Sequence, residues 1–285
     1  MIKIITDISS DIPKKVAQER GIAVMPFYIT MDNDESILAG IDYEPETFYE
    51  KLKTLKEIPK TGQTPIPIIE EFYRAAGKDD PIIHITISGA ATGTVNNANR
   101  IAKQLNEEEG FDITVIDSRT FSMANGYHVL RADDMAKEGK SKEEIVNYLE
   151  KVYARDTVYF TVDDLTFLKK GGRIKATTAG IAAALDIKPI CHSADGLVEV
   201  FAKVRGMKKA ISKMVEVAEK NMKDPKGGEF LILASECPEK VEYMKKLVSE
   251  RLGTDKISVY PIGPVITCHA GTNVLGMFFE QKDSE

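Results

Sequence analysis

The sequence predicts an α/β protein with an N-terminal, mostly parallel, doubly wound sheet domain and a C-terminal α+β domain with a partly antiparallel sheet. Up to Ala154, apolar runs of strand length alternate with segments of helical period, which is typical of βα units. Beyond Val158, the turn 193–196 lies between two strand-like runs and predicts a β-hairpin. We therefore predict domains over residues 1–155 and 156–285, with a ligand site between them.

The first half contains four predicted strands and six predicted helices. The strands are short apolar runs, rich in isoleucine and valine, as expected of buried parallel strands. Asp11 is the expected N-cap of the first helix and Gly21 its end. The predicted strands are Ile2–Ile5, Ala23–Thr30, Ile82–Ile87 and Ile113–Ile116, and the predicted helices are Pro13–Arg20, Glu46–Lys56, Ile66–Ala76, Val95–Asn106, Asn125–Lys137 and Lys142–Ala154.

The second half mixes strands and helices without the regular βα alternation. The hairpin requires an antiparallel pair, and the later strands are separated by amphipathic helices, which together indicate an α+β arrangement. The predicted strands are Val158–Val162, Ile187–His192, Leu197–Val204, Phe230–Ala234 and Ile257–Pro261, and the predicted helices are Asp163–Lys169, Ala179–Leu185, Met207–Met222 and Glu239–Leu252.

Composition narrows the classes of function. A net charge of −6 and the absence of tryptophan disfavour nucleic acid as a partner. No apolar stretch approaches the length of a membrane span, and Met1–Ile5 lacks a signal-peptide pattern, so we expect a cytoplasmic protein without stable membrane insertion. The widely spaced Cys191, Cys237 and Cys268 match neither a disulfide framework nor a zinc site, and we expect no metal.

Familiar catalytic and cofactor signatures are absent from the sequence. It contains no nucleophile elbow G-x-S-x-G, no phosphate-binding G-x-x-x-x-G-K-[ST], no dinucleotide-binding G-x-G-x-x-G and no H-E-x-x-H. These absences disfavour an α/β-hydrolase, a P-loop NTPase, a dinucleotide enzyme and a zinc protease. We therefore expect no cofactor.

The segment Ser88–Thr94 lies where a predicted buried strand leads into a helix. Free backbone N–H groups and the positive end of the helix dipole point into such a turn, and small residues let a ligand approach the backbone. The segment therefore predicts a socket for an anionic or polar head group. The alternative interpretation is an ordinary helix N-cap with serine and glycine forming the turn.

Three further segments are individually ambiguous. Thr61–Pro65 is either a functional loop or a capped turn before a helix. Leu168–Ile174 combines lysines and an arginine with two glycines, and its alternative interpretation is a glycine C-cap with cations near the negative helix end. The segment Ile262–Thr272 contains a lone His269 among small residues, and such a histidine is more often a core residue than a functional one.

Taken together, the order and spacing of these segments resemble the DegV family, the fatty-acid-binding proteins that serve bacterial fatty acid kinase. The resemblance implies two domains with one long-chain fatty acid in an apolar tunnel between them. It implies a lipid-binding protein without catalytic residues of its own, which presents the carboxylate to the kinase for acyl-phosphate formation in phospholipid synthesis. The segments that carry it are Thr6–Pro13, Thr61–Pro65, Thr92–Thr94, Asp117–Ser118, Leu165–Ile174, Lys188–Ile190, Asp195–Gly196, Gly263–Pro264 and His269–Gly271.

The resemblance also implies which residues bind the carboxylate. Thr61 matches the threonine of the family's T-S-Q-P loop, and Thr92 matches the serine of its S-G-T loop, beside the backbone N–H of Gly93. His269 matches the histidine of the family's closing H-x-G-P-G segment, and Thr272 follows in the same segment. We expect these five residues to contact the head group.

Two arginines are implied near the head group or on the surface that faces the kinase. Arg173 matches the arginine of the family's K-K-G-G-R-I segment, and Arg205 matches a basic position associated with docking. The chain departs from the family pattern at Gly62, where serine is frequent, and at Thr272–Asn273, which replaces Pro-Gly.

Two other functions remain open from the residues alone. The first is a hydrolase or phosphotransferase that acts on a small anionic substrate through a serine or threonine, His269 and Asp117. The second is an interaction module whose glycine loops are only structural. An enzyme of this kind requires a polar, water-accessible pocket, whereas a fatty-acid carrier requires a long apolar one.

Overall fold

A computed structural model describes residues 1–32, 35–40, 42–163, 165–175 and 186–283. The predicted helix over 179–185 lies outside these residues. We number the elements along the described chain. The strands are β1 Lys3–Asp7, β2 Ala23–Met25, β3 Tyr28–Thr30, β4 Ser36–Leu38, β5 Lys60–Gly62, β6 Ile82–Thr86, β7 Ile113–Asp117, β8 Tyr159–Thr161, β9 Ile187–Ala194, β10 Leu197–Arg205, β11 Phe230–Ala234, β12 Ile257–Pro261 and β13 Leu275–Phe278.

The helices follow the amphipathic segments closely. Most of their ends differ from the predicted ends by one to three residues, because helix termini depend on local capping that periodicity does not define. The helices are α1 Lys14–Arg20, α2 Pro45–Thr54, α3 Ile66–Ala76, α4 Thr94–Glu109, α5 Met123–Lys137, α6 Lys142–Arg155, α7 Thr166–Gly171, α8 Met207–Asn221, α9 Pro238–Leu252 and α10 Pro264–Ala270, with a short 3₁₀ turn at Ile8–Ser10.

The N-terminal part contains a four-stranded sheet in the order β2-β1-β6-β7, and all its pairs are parallel. The βα crossovers place helices on both faces of this sheet, and consecutive strand residues point to opposite faces. Ile5 packs in a cluster with residues of α3 and α4, whereas Ile4 packs in a cluster with residues of α5 and α6. The prediction of a parallel, doubly wound sheet is confirmed.

The C-terminal part contains a mixed six-stranded sheet in the order β10-β9-β8-β13-β11-β12. Only β11 and β12 pair in parallel, and the other neighbours are antiparallel. The predicted hairpin joins β9 and β10, and Asp195 and Gly196 in its turn both have positive φ, as a two-residue turn of the primed type requires. The prediction of a partly antiparallel α+β part is confirmed.

Several local predictions were wrong. The predicted strand Ala23–Thr30 is two strands, because Pro26 interrupts it: β2 joins the parallel sheet, and β3 joins a separate three-stranded sheet with β4 and β5. Asp11 does not cap α1. It adopts a left-handed conformation with φ of 54°, and the helix begins after Pro13 without a side-chain cap. Neither α10 nor β13 was predicted.

One hydrophobic cluster contains residues from both large sheets. Ile83 and Ile116 of the parallel sheet belong to the same cluster as Phe160 and Leu233 of the mixed sheet. The domain division at residues 155 and 156 stays a prediction. Within the described ranges, no helix is long and apolar enough to cross a membrane, and no group of three or more histidine, cysteine or carboxylate side chains is arranged to hold a metal ion.

Candidate functional site

A cavity of about 550 Å³ lies among the loops at the carboxyl edge of the parallel sheet, helix α10 and one face of the six-stranded sheet. Its volume is within the range of about 300–1,000 Å³ that is typical of small-molecule sites. Polar groups line one part of the cavity, and apolar side chains line the rest. The polar part includes Thr61, Gln63, Thr92, Gly93, Asn96, Arg173 and His269.

Thr61 and His269 meet in the polar part of the cavity. Thr61 is the middle residue of β5, which pairs with β3 and so fixes the direction of its side chain. His269 lies near the end of α10, and its Nε2 is 2.8 Å from the Thr61 hydroxyl oxygen. Residues 208 positions apart in the sequence thus form one hydrogen-bonded pair.

The imidazole of His269 is held as a neutral group. Burial and the nearby positive charge of Arg173 lower the pKa of His269 to about 4. Its Nδ1 faces the backbone of Gly171, where a Cβ would lie only 2.6 Å from that nitrogen. A glycine is therefore needed at residue 171 to admit the ring, and among the described residues Nδ1 has no hydrogen-bond partner.

The loop Ser88–Thr94 is fixed largely by its own hydroxyls and by one carboxylate. The Ser88 hydroxyl donates to the carbonyl oxygen of Gly196 in the β9–β10 turn at 2.7 Å, which ties the loop to the six-stranded sheet. The backbone N–H of Gly89 donates to Asp117 at 3.0 Å. Ser88 therefore has a structural role, and Thr92 is the hydroxyl of this loop that lines the cavity.

Gly93 immediately precedes α4 and lies beside the side chain of Gln63. A Cβ at residue 93 would collide with the Gln63 amide oxygen, so a larger residue here would displace the end of the Gln63 side chain. Gly93, at the N-cap position, makes no side-chain cap, whereas the N–H of Thr94, the first residue of α4, donates to the Thr92 hydroxyl oxygen at 3.4 Å. The anion-socket interpretation of this segment stays a prediction.

Arg173 supplies a positive charge to the polar part of the cavity. Its guanidinium donates to the carbonyl oxygens of Ala91 at 3.2 Å and Gly171 at 2.6 Å. Partial burial lowers the pKa of Arg173, but an arginine remains protonated in a protein. In the described parts of the chain, no carboxylate pairs with this guanidinium, so its charge is not neutralised.

The apolar part of the cavity is built from three sources. Loop and strand-end residues of the N-terminal part contribute Phe27, Ile87 and Phe121. Helix α10 contributes three apolar residues, and the strands of the six-stranded sheet, with the residues directly next to them, contribute most of the remainder. These further apolar residues are Val158, Phe160, Leu168, Val198, Leu233, Ile262, Val265, Ile266, Ala270 and Val274.

Of the seven residues expected at the site, Thr61, Thr92, Gly93, Arg173 and His269 line this cavity. The other two lie elsewhere. Thr272 follows α10 and is half-buried outside the lining, because α10 ends at Ala270 and Gly271 turns the chain toward β13. Arg205 lies at the exposed end of β10.

Sequence reasoning missed three polar lining residues: Ser122, which directly precedes α5, and Gln63 and Asn96, which lie close to the singled-out motifs. Gln63 lies two positions after Thr61 within the singled-out loop, and Asn96 lies in the first turn of α4 directly after Thr92–Thr94. Their positions in the sequence were a usable signal for both. Asp117, the candidate acid of an alternative enzyme, accepts the backbone N–H groups of Gly89 and Arg119 and does not contact His269.

Comparisons with a family profile and with related sequences point to the same family. The profile of the DegV family, described as uncharacterised proteins, matches residues 1–282. A DegV domain-containing protein of Caldanaerobacter subterraneus subsp. tengcongensis is 34% identical over 281 residues, covering 99% of each chain.

Two solved structures are similar along nearly the whole chain. The structure of DegV from Bacillus subtilis, described as a fatty acid binding protein, has a TM-score of 0.87 and 28% identity, and the match covers 99% of each chain. The structure of a fatty-acid-binding DegV family protein from Thermus thermophilus has a TM-score of 0.86 and 29% identity, covering 97% of this chain and 98% of that one. The chain belongs to the DegV family.

Proposed function

We propose that this protein binds one long-chain fatty acid in the cavity and presents its carboxylate to a separate fatty acid kinase, which forms the acyl phosphate. The observation that carries the proposal is the division of the cavity into an apolar part and a polar part that contains Arg173, a cation that no carboxylate of the described residues neutralises. This division matches an amphiphile with a long hydrocarbon tail and a single anionic head group.

The apolar part accounts for affinity. Transfer of about fourteen methylene groups from water, at roughly 0.8 kcal/mol each, contributes on the order of 11 kcal/mol before any cost is subtracted. Immobilising the ligand and its torsions offsets much of this free energy. The remainder is the apolar contribution to the net free energy of binding.

The polar part accounts for the position of the head group. A carboxylate without hydrogen-bond donors is costly to bury, so several donors must meet it. If His269 Nε2 carries the proton and donates to the Thr61 oxygen, the Thr61 hydroxyl hydrogen is free to donate to the ligand. Thr92, the N–H of Gly93 and the Arg173 guanidinium complete a set of donors at the same end of the cavity.

The relatives support the same ligand class. The proteins from Bacillus subtilis and Thermus thermophilus are described as fatty acid binding, and both resemble this chain at 28% and 29% identity over almost its full length. Within the family resemblance, the kinase is the partner, and the exposed Arg205 is the candidate docking residue. The half-buried Thr272, outside the lining, is proposed to support α10 rather than to contact the carboxylate directly.

The geometry does not favour a hydrolase or phosphotransferase. The pair Thr61 and His269 has the spacing of a nucleophile and its base, but the low pKa of His269, about 4, makes the imidazole a weak base. Asp117 does not orient this ring, since its carboxylate is used by backbone N–H groups of the loop. The apolar lining also disfavours a small polar substrate.

The test is native mass spectrometry of the purified protein, with extraction and analysis of any bound lipid. We expect one fatty acid per chain, removed by delipidation and restored when fatty acid is added. Absence of lipid together with failure to rebind any fatty acid contradicts the carrier function. The kinase step is tested separately by adding a fatty acid kinase and ATP to the loaded protein and following acyl-phosphate formation, with delipidated protein as the control.

A further inference from the structure

Gly276 occupies an unusual place for a glycine. It lies within β13, an interior strand of the six-stranded sheet, and it lines the cavity. A glycine inside a strand weakens the strand and often marks a position where another group approaches the backbone. Its backbone angles do not require glycine, because it is not among the residues with positive φ.

The sheet register places Gly276 in a row of side chains that face the cavity. Gly276 is opposite Phe160 on β8 and opposite Leu233 on β11. Directly paired residues of neighbouring strands point to the same face. The row continues to Cys191 beside Phe160 and to Tyr260 beside Leu233, and all four side chains pack in one hydrophobic cluster.

The row therefore has one gap, at its centre. A Cβ at residue 276 would lie 3.3 Å from the Leu233 Cβ and 3.4 Å from the Phe160 Cβ, which is tight but feasible for alanine. Any longer side chain would have to extend away from the sheet, toward the space that Phe160 and Leu233 line. The next residue, Met277, belongs to the cluster on the opposite face of the sheet.

The gap faces the apolar part of the cavity. Among the described residues, every polar side chain that lines the cavity comes from outside the strands of the six-stranded sheet, including Thr61, Thr92, Arg173 and His269. The sheet residues near Gly276 that line the cavity are apolar. A ligand whose carboxylate meets the polar side chains would therefore place part of its tail against the sheet.

We propose that the absence of a side chain at Gly276 leaves space for the acyl tail, which makes residue 276 a specificity-determining position for chain length. This inference rests on the proposed fatty-acid-binding function. A side chain here reduces the space for carbon atoms far from the head group. Long saturated chains then lose affinity, whereas chains too short to reach the gap keep theirs.

The experiment compares dodecanoic acid with octadecanoic acid on delipidated wild-type protein, Gly276→Ala and Gly276→Val. Each methylene group that no longer fits is expected to weaken binding by about fourfold. We expect the preference for octadecanoic over dodecanoic acid to fall about fourfold in Gly276→Ala and further in Gly276→Val. The control is Met277→Leu, which changes the same strand on the opposite face and should leave the preference unchanged.

A variant with the opposite effect keeps the test decisive if Gly276→Val does not fold. Phe160→Leu removes atoms from the same row, so the preference for octadecanoic acid should rise. An unchanged preference in both Gly276→Ala and Phe160→Leu overturns the role of residue 276 while the carrier function stands. Failure of the wild-type protein to bind either acid instead overturns the carrier function itself.

Discussion

Two regions that line the cavity differ in chemical character: the loops at the carboxyl edge of the parallel sheet and the cavity-facing surface of the six-stranded sheet. The loops contain buried carboxylates, hydroxyls and residues with strained backbone, such as Asp11 and Ser122 with positive φ. The sheet face presents apolar side chains fixed by strand register. Buried polar groups and strained backbone cost free energy and persist where a site requires them. An apolar surface needs only apolar residues on one face of each strand and close packing between them.

The largest expected effect is a pH dependence of the free energy of unfolding, which arises from the loop region and not from the sheet face. Burial raises the pKa of Asp7 to about 6 and that of Asp11 to about 7, although hydrogen bonds from Ser9 and Ser122 partly offset this. The folded state therefore holds protons that the unfolded state has released. The free energy of unfolding should fall as pH rises from about 4 to about 7, by on the order of 3 kcal/mol for each group.

Replacement of Asp11 isolates this effect. Asp11→Asn should flatten the upper part of the pH dependence, since no proton is then lost at that position. Urea unfolding at pH 5 and pH 8 measures the difference between the variant and the wild type. If the free energy of unfolding changes by the same amount between pH 5 and pH 8 in both proteins, Asp11 is already ionised at pH 5. Phe160→Leu, on the sheet face, serves as a control that should shift stability equally at both pH values.

The next effect concerns the charge at the polar part of the cavity. Arg173→Met retains an extended side chain but removes a guanidinium that lines the cavity. A charge-assisted hydrogen bond contributes about 1.5–3 kcal/mol, so we expect affinity for fatty acid to fall roughly 10- to 100-fold. Isothermal titration with hexadecanoic acid measures the loss.

A neutral ligand provides the matched control for Arg173. The corresponding long-chain alcohol lacks the negative charge, so its affinity should change much less than that of the acid. Equal losses for acid and alcohol would indicate that Arg173 acts through packing rather than through charge.

A smaller effect is expected from single hydroxyls. Thr92→Val removes one donor to the carboxylate but keeps the shape of the side chain, and Thr92→Ser keeps the donor. We expect about a fivefold loss of affinity for the valine variant, equivalent to about 1 kcal/mol, and near wild-type binding for serine. His269→Ala should weaken binding by a similar factor because it releases Thr61. Unchanged affinity in both Thr92→Val and His269→Ala would contradict the head-group assignment.

The smallest effect on lipid affinity is expected at Arg205. This side chain is exposed at the end of β10 and does not line the cavity. Arg205→Glu should leave fatty-acid affinity unchanged and reduce turnover by the kinase. Wild-type turnover would remove Arg205 from the docking surface, and Lys226→Glu, an exposed charge reversal outside both sheets, is the control for net charge.

The sequence was most informative where local pattern defines structure. Hydrophobic periodicity placed α3 and β11 at their observed bounds, and the Asp195–Gly196 turn identified the hairpin. The hydrophobic pattern was misleading at Pro26, where one apolar run forms strands of two different sheets. The sheet that a strand joins depends on the strands that pair with it, which the run itself does not specify. It also missed α10, in which Val265, Ile266 and Thr267 are consecutive β-branched residues with low helix propensity.

By itself the sequence determined the fold class, the order of most elements and the segments that contain Thr61, Thr92, Arg173 and His269, because these follow from periodicity and from motif order. Only the tertiary structure decided that Thr61 and His269 form one pair, that Thr272 lies outside the cavity lining, and that Gly276 leaves a gap in the sheet face. The physical reason is that contacts across long sequence separations depend on strand register and packing, which no local pattern specifies.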